Sequence, residues 1–190
     1  MLELLNTLVN LDKQLLLFLH AQGSLFWDDF WIFITTPIHW IPFFILLFFL
    51  GYRVYRLKKA LLIMGFTALS ALTAFTLVNI IKNYIQRLRP INDTSINTNI
   101  RVLIEQNDFS FVSGHSTVSF TIAFLMFWVL KQKYKYAFLV FLFPLLFAYS
   151  RIYLAAHFPL DILFGMLLGY LIATIFNLGI QKVVFKKETI

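Results

Sequence analysis

The sequence predicts an all-α integral membrane bundle of about five transmembrane helices, with an amphipathic N-terminal helix lying in the interface. Three observations carry that expectation. Of the 190 residues, 60% are hydrophobic and only 13% are charged, where soluble domains carry about 25% charged residues; mean hydropathy is +0.79. The apolar residues fall in five runs, most approaching the roughly 20 residues a helix needs to cross hydrocarbon. The basic residues gather in alternate connections between those runs, a topology signal. The length fits one domain over residues 1–190. The net charge of +7 does not point to nucleic acid, because the cations sit in short loops rather than on one continuous face. With no cysteine there is no disulfide, thiolate metal site or thiol nucleophile.

The N-terminal stretch, residues 1–25, has two faces. Leu4, Leu8, Leu11, Leu15 and Phe18 follow the helical period on one side, and Glu3, Asn6, Asn10, Lys13 and Gln14 recur on another. That pattern fits a helix in the plane of the interface. Asp12 and Lys13 in its middle argue against a sixth span. The start Met1-Leu2-Glu3 lacks a basic n-region, so no cleavable signal peptide is expected. Trp27, Asp28, Asp29 and Trp31 form an aromatic and acidic cluster suited to a membrane edge.

The five runs are 30–52, interrupted by Pro37 and Pro42, then 60–81, 115–130, 136–150 and 162–180. The fourth reaches span length only if residues 152–156 join it. Arg53, Arg56, Lys58 and Lys59 lie between the first and second runs; Lys131, Lys133 and Lys135 between the third and fourth; Lys182, Lys186 and Lys187 after the fifth. All of these fall on one side, which the positive-inside rule makes cytoplasmic. The other side receives every acid except Glu188, the polar loop 83–110 and the N-terminal helix.

The chemistry lies on that outer side. Lys82 closes the second run and Arg89 follows seven residues on. If the helix continues for two turns they share a face, and Pro90 then stops it. Taken alone, the pair also fits two anchors snorkelling at a helix end. Ser113-Gly114-His115 opens the third run: Ser113 suits an N-cap, Gly114 permits close backbone approach, and free amides at a helix start attract anions. The stretch 150–161 holds Arg151 at the end of one helix, then His157, Pro159 and Asp161. Pro159 suits a first helical turn. On a helix starting near His157, that residue and Asp161 share a face at i, i+4; alone, this stretch also fits an ordinary loop charge cluster.

Because the second to fifth runs alternate in direction, Lys82 and Arg89, Ser113 to His115, Arg151, and His157 with Asp161 all reach one membrane face. Three cations, helix-end amides, two imidazoles and a carboxylate describe a phosphoryl site, where catalysis is positioning plus neutralisation of oxygen charge. Arginine suits it because its planar fork holds two oxygens at once. A metal is not expected: three cations would repel it, and one carboxylate is too few for Mg²⁺ or Ca²⁺.

These motifs resemble those of the type 2 phosphatidic acid phosphatases, which share a fold with vanadium haloperoxidases. Lys82 to Arg89-Pro90 is similar to the family's first motif, Ser113-Gly114-His115 to its second, and Ser150-Arg151, His157 and Asp161 to its third. Val112 stands where the family usually has proline. The resemblance covers roughly residues 82–165. It implies a six-helix core, here with an interfacial first helix, and a phosphatase needing no metal or other cofactor. By the same resemblance His157 attacks phosphorus, Asp161 holds its imidazole in the attacking tautomer, and His115 protonates the leaving oxygen and then activates water. Lys82, Arg89, Arg151, Ser113 and the Gly114 amide hold the phosphoryl oxygens. The implied partner is a membrane lipid phosphate or diphosphate: phosphatidate, phosphatidylglycerol phosphate, a polyprenyl diphosphate such as undecaprenyl diphosphate, or a lipid A phosphate. The expected setting is a bacterial inner membrane with the site facing the periplasm or exterior; no oligomeric state is implied. A membrane anion carrier would also gather cations, but it has no need of the His157–Asp161 pair and would favour inverted repeats, which this sequence lacks. A vanadate-dependent peroxidase fits five apolar spans less well than a lipid phosphatase does. A lipid phosphotransferase differs only in the acceptor.

Overall fold

The computed structural model describes residues 2–185. Met1 of the N-terminal reading, and Lys186, Lys187 and Glu188 of the charge bias, lie outside the described residues. Among the described residues there is no strand. The α-helices are α1 (Leu2–Ala21), α2 (Leu25–Thr35), α3 (Ile41–Ile85), α4 (Gly114–Leu130), α5 (Leu142–Tyr153) and α6 (Pro159–Val183).

The N-terminal helix is two-faced. Leu4, Leu8, Leu11, Leu15 and Phe18 are exposed on its outer side, while Asp12, Leu16 and His20, four residues apart, are buried against the bundle. Leu16 packs with Ile96 and Phe158 in a small apolar cluster of its own. The inward stripe therefore carries a carboxylate and an imidazole, and the apolar stripe is left exposed.

The first apolar run is not one helix. Thr36, before Pro37, is extended (φ −87°, ψ 115°), and a 3₁₀ turn Pro37–Trp40 separates α2 from α3. The proline ring disfavours helical backbone in the residue before it. Pro42 is tolerated in the first turn of α3, where its missing N–H is not needed. Arg56 (φ 59°, ψ 174°) breaks α3 into two limbs. The limbs fold back on each other: Phe44 and Leu47 from one, and Met64, Thr67, Ala68 and Ala71 from the other, line a common cavity of about 190 Å³. The basic residues Arg53, Lys58 and Lys59 flank that reversal.

Helix α4 is the centre of the bundle and packs most extensively on α6. Gly165 and Gly169 permit this. A Cβ at Gly165 would lie 2.9 Å from the Ser113 carbonyl oxygen, and one at Gly169 would lie 2.7 Å from that of Thr117. Small residues one turn apart let two apolar helices touch backbone to backbone. The Ser113 N–H then donates to the Asp161 carbonyl at 3.0 Å, which seats the starts of α4 and α6 side by side. Leu47, Ile63, Leu125, Met126, Leu130 and Ile180 form the main core. Leu61, Leu69, Leu72, Leu167, Leu171 and Ile175 face outward and exposed, an apolar exterior suited to lipid. The stretches Pro37–Asn92 and Pro159–Val183 are long and apolar enough to cross a membrane; Gly114–Leu130 and Ala137–Tyr153 are shorter apolar helices.

Candidate active site

Lys82 and Arg89 meet, but not along one helix face. Helix α3 ends at Ile85, and Gln86 adopts a left-handed conformation (φ 54°, ψ 33°). Arg89 is extended (φ −74°, ψ 157°), as a residue before proline prefers. Two turns of continued helix are thus replaced by a loop, and the side chains are joined by a carboxylate. Asp108 accepts from Lys82 Nζ at 2.5 Å and from Arg89 Nη2 at 2.6 Å. Arg89 also donates through Nε to the Asp108 carbonyl at 2.9 Å and through Nη1 to the Ala156 carbonyl at 2.6 Å. Burial alone would raise the Asp108 carboxyl, but the two cations override it and hold its pKa at about 2. Asp108 is an exposed residue on the 86–113 connection.

Arg151, near the end of α5, is fully buried. Its Nη1 donates to Thr35 Oγ1 at 2.6 Å, while Nε and Nη2 are buried without a partner among the described residues. A buried cationic donor without a partner is costly, so its position needs a cause. Arg151 lines a cavity of about 630 Å³ together with Lys82, Arg89, Asp108, Gly114 and His115 at one end. From there the cavity runs inward along α3, α4 and α5 to Phe44, Phe75, Ile122 and Phe143. It is a slot with a cationic head and an aromatic and aliphatic body. His115 stands at the junction, its ring 4.8 Å from that of Phe147.

His157 precedes α6 rather than starting it: the N-cap is Phe158, and Pro159 opens the helix. The i, i+4 relation on a helix is therefore replaced by a loop-to-helix contact. Nδ1 lies 3.5 Å from Asp161 Oδ2 and 3.4 Å from Ser110 Oγ. The Ser110 hydroxyl donates a short hydrogen bond to Asp161 Oδ2. On the other side of the ring, Nε2 lies 3.3 Å from Arg89 Nη1. A guanidinium only donates, so Nε2 is the acceptor and Nδ1 carries the proton. The arrangement reads Nδ1–H to Ser110 Oγ, and Ser110 O–H to Asp161. Burial, then the cations Arg89, Arg151 and Lys82, push the His157 pKa well below its ordinary value. His157, Asp161 and Ser113 lie behind the cavity wall rather than on it. Ser113 Oγ accepts from the Ser116 N–H at 3.4 Å, a long helix cap, and so faces its own helix.

Four residues here have no site role that local sequence suggests: Arg87, Asp12, Ser110 and Asp108. Arg87 donates to Asp161 Oδ1 at 2.6 Å and to Asp12 Oδ2 at 2.7 Å. Their partners lie far away in the chain, and local spacing carries no signal for that. Among the described residues no group of three or more His, Asp or Glu side chains is placed to hold a metal ion.

The model of the PAP2 superfamily matches residues 56–185. The chain is 28% identical to a lipid A 4'-phosphatase of Bacteroides thetaiotaomicron over 85% of its length and 73% of that protein's. It is 27% identical to a lipid A 4'-phosphatase of Porphyromonas gingivalis, over 87% of this chain and 71% of the other. Its fold is similar to that of a transmembrane PAP2-type phosphatidylglycerolphosphate phosphatase from Bacillus subtilis (TM-score 0.73, 21% identity, covering 94% of this chain and 88% of that one). It is also similar to Aquifex aeolicus LpxE (TM-score 0.65, 26% identity, covering 86% and 92%).

Proposed function

We propose that this chain, which belongs to the PAP2 superfamily, is a membrane-embedded lipid phosphatase that works through a phosphohistidine on His157. The observation that carries the reading is Arg151: a buried fork with two unpaired nitrogens at the cationic head of an otherwise apolar slot. A lipid phosphate supplies both halves of what that slot accepts.

The incoming phosphoryl group displaces Asp108 and takes over its bonds to Lys82 and Arg89. Arg151 and the amides at the start of α4, Gly114 among them, hold the remaining oxygens; Ser113 shapes that turn. As Arg89 turns from His157 Nε2 to the phosphoryl oxygens, the freed Nε2 lone pair attacks phosphorus, forming the N–P bond as the P–O bond to the lipid breaks. His115 gives its proton to the departing oxygen, so that an alcohol leaves rather than an alkoxide. Asp161, through Ser110 and Nδ1–H, keeps the ring in the attacking tautomer and offsets the positive charge it gains. His115, now neutral, takes a proton from water. The water oxygen attacks phosphorus, the N–P bond breaks, and inorganic phosphate is released.

In this reading the chain crosses the bilayer five times: the two limbs of α3, then α4, α5 and α6, with α1 in the interface. The reversal at Arg56 faces the cytoplasm and the cationic head faces outward, level with the head group of an outer-leaflet lipid. Two relatives named as lipid A 4'-phosphatases make the lipid A phosphomonoester the first substrate to test. Purified protein in detergent, with EDTA present, should release phosphate from one member of a panel of lipid A, phosphatidylglycerol phosphate, phosphatidate and undecaprenyl diphosphate. Release that requires added Mg²⁺, or binding without release from any member, would contradict the proposal.

A further inference from the structure

We propose that Asp12 and Arg87 are positioning residues for this reaction, so that the N-terminal helix is part of the catalytic apparatus. The inference rests on the reading of Asp161 as the group that orients His157.

One guanidinium serves two buried carboxylates. Arg87 Nη1 donates to Asp161 Oδ1 at 2.6 Å, and Nη2 donates to Asp12 Oδ2 at 2.7 Å. The guanidinium also lies over the Phe158 ring, 4.0 Å from its centroid, and so is fixed on its face as well as its edge. Asp12 uses its second oxygen to accept the Leu160 N–H at 2.9 Å, in the first turn of α6. Asp161 uses its second oxygen for the Phe158 N–H at 3.0 Å and for Ser110. The Arg87 carbonyl accepts the Ser110 N–H at 2.8 Å. Arg87 therefore fixes both groups that face His157 Nδ1: Asp161 through its side chain and Ser110 through its backbone.

Asp12 has a definite task in this arrangement. Arg87 is a cation close to a site built to attract anions. Without a second carboxylate Nη2 would lose its partner, and the hold of Nη1 on Asp161 would loosen. With Asp12 in place, two carboxylates share one cation, and the cluster keeps net negative charge behind the imidazole when the ring gains positive charge. Asp12 also lies outside residues 56–185, the stretch the family model matches, so this half of the device is contributed by the N-terminal helix.

The test separates positioning from simple attachment of the helix. Lys13, one residue on, ties α1 to the outer loop through Asp93 at 2.7 Å and Ser95 at 2.8 Å, and touches nothing in the site. Asp12→Asn and Arg87→Gln should each lower kcat by about 10- to 100-fold, the usual scale for a partner that orients a reacting group. KM and inhibition by vanadate should stay close to those of the unaltered protein. Asp12→Glu should recover part of the loss. The double variant should be little worse than Arg87→Gln alone, because both act through one carboxylate. Lys13→Ala should keep kcat. If Asp12→Asn changes kcat no more than Lys13→Ala does, or if kcat falls only in proportion to thermal stability, the inference is overturned. Asp161→Asn, measured alongside, separates the two claims: full activity there would remove the reading of Asp161 itself, while its loss with Asp12→Asn and Arg87→Gln unaffected would remove only this inference.

Discussion

Asp161 and Arg151 stand at the two ends of one short connection, between α5 and α6, and both are fully buried. Asp161 is saturated: Arg87, Ser110 and the Phe158 N–H occupy its two oxygens. Among the described residues Arg151 has Thr35 as its side-chain partner and two nitrogens with none. The carboxylate side is built like a core, where each polar group is paired and each rotamer fixed. The cation side shares one exposed carboxylate, Asp108, between Lys82 and Arg89 and leaves Arg151 open. A pair that forms completely inside the protein has nothing left for a ligand. On the function proposed above, the saturated side would hold the nucleophile and the open side the substrate, and substitutions on the two sides should fail in different ways.

The largest effect should come from the saturated side. His157→Ala should be inactive on every substrate, lipid or aryl phosphate, because no covalent intermediate can form; measurable turnover on any of them would break the division. On the open side, Arg151→Ala should lower kcat/KM by about 10²–10³-fold, the scale for losing one donor to developing oxygen charge. It should weaken vanadate inhibition in parallel. Arg151→Lys should not restore either, since an ammonium cannot span two oxygens. An unchanged vanadate affinity in Arg151→Ala would place the phosphoryl group elsewhere.

Asp108→Asn should move binding in the opposite direction. The carboxylate competes with the phosphoryl group for Lys82 and Arg89, so removing its charge should tighten inhibition by vanadate and by inorganic phosphate. With a pKa held at about 2, Asp108 stays ionised through the whole working range, so the gain should be the same at pH 6 as at pH 8. Weaker inhibition in Asp108→Asn would make the carboxylate a supporting ligand instead of a competitor.

The smallest effect is on stability. His157 is buried neutral, with its pKa depressed below 6.5 by burial and by three cations. Below that value the unfolded chain takes up a proton at this residue that the folded chain does not. The contribution of His157 is thus complete above pH 6.5 and is lost as the pH falls through the folded value. His157→Gln should flatten this part of the thermal-stability profile; an identical acid slope in both proteins would mean that the folded ring protonates freely.

How much of this was legible follows from the range of each interaction. The convergence of Lys82, Arg89, His115, Arg151 and His157 needed only alternating spans and their ends. The local geometry was less legible. Pro90 forbids helix at Arg89, but it was the left-handed turn at Gln86 that ended α3, and a glutamine gives little warning of that. Pro37 was noted as an interruption, yet it separates two helices because extended Thr36 must precede it. The close approach of α4 and α6 at Gly165 and Gly169 was not legible in the sequence, because two glycines four apart do not say which helix they meet. Asp12 was read as a charge that keeps α1 out of the membrane core. Its burial was already hinted at by the i, i+4, i+8 stripe with Leu16 and His20, but its partner lies 75 residues away, and nothing local marks Arg87 rather than Arg89 as that partner.

The most direct measurement is a brief pulse of labelled aryl phosphate given to His115→Ala. An aryl oxide leaves without help from an acid, so the first step should survive, while the loss of the base that activates water should slow the second. Acid-labile, base-stable label should accumulate on His157 in this variant and be absent from His115→Ala combined with His157→Ala, with a loss of about 10²–10⁴-fold on lipid phosphates, the range for a general acid. If no label is trapped, and His115→Ala and His157→Ala lose both kinds of substrate equally, the covalent route through His157 is contradicted.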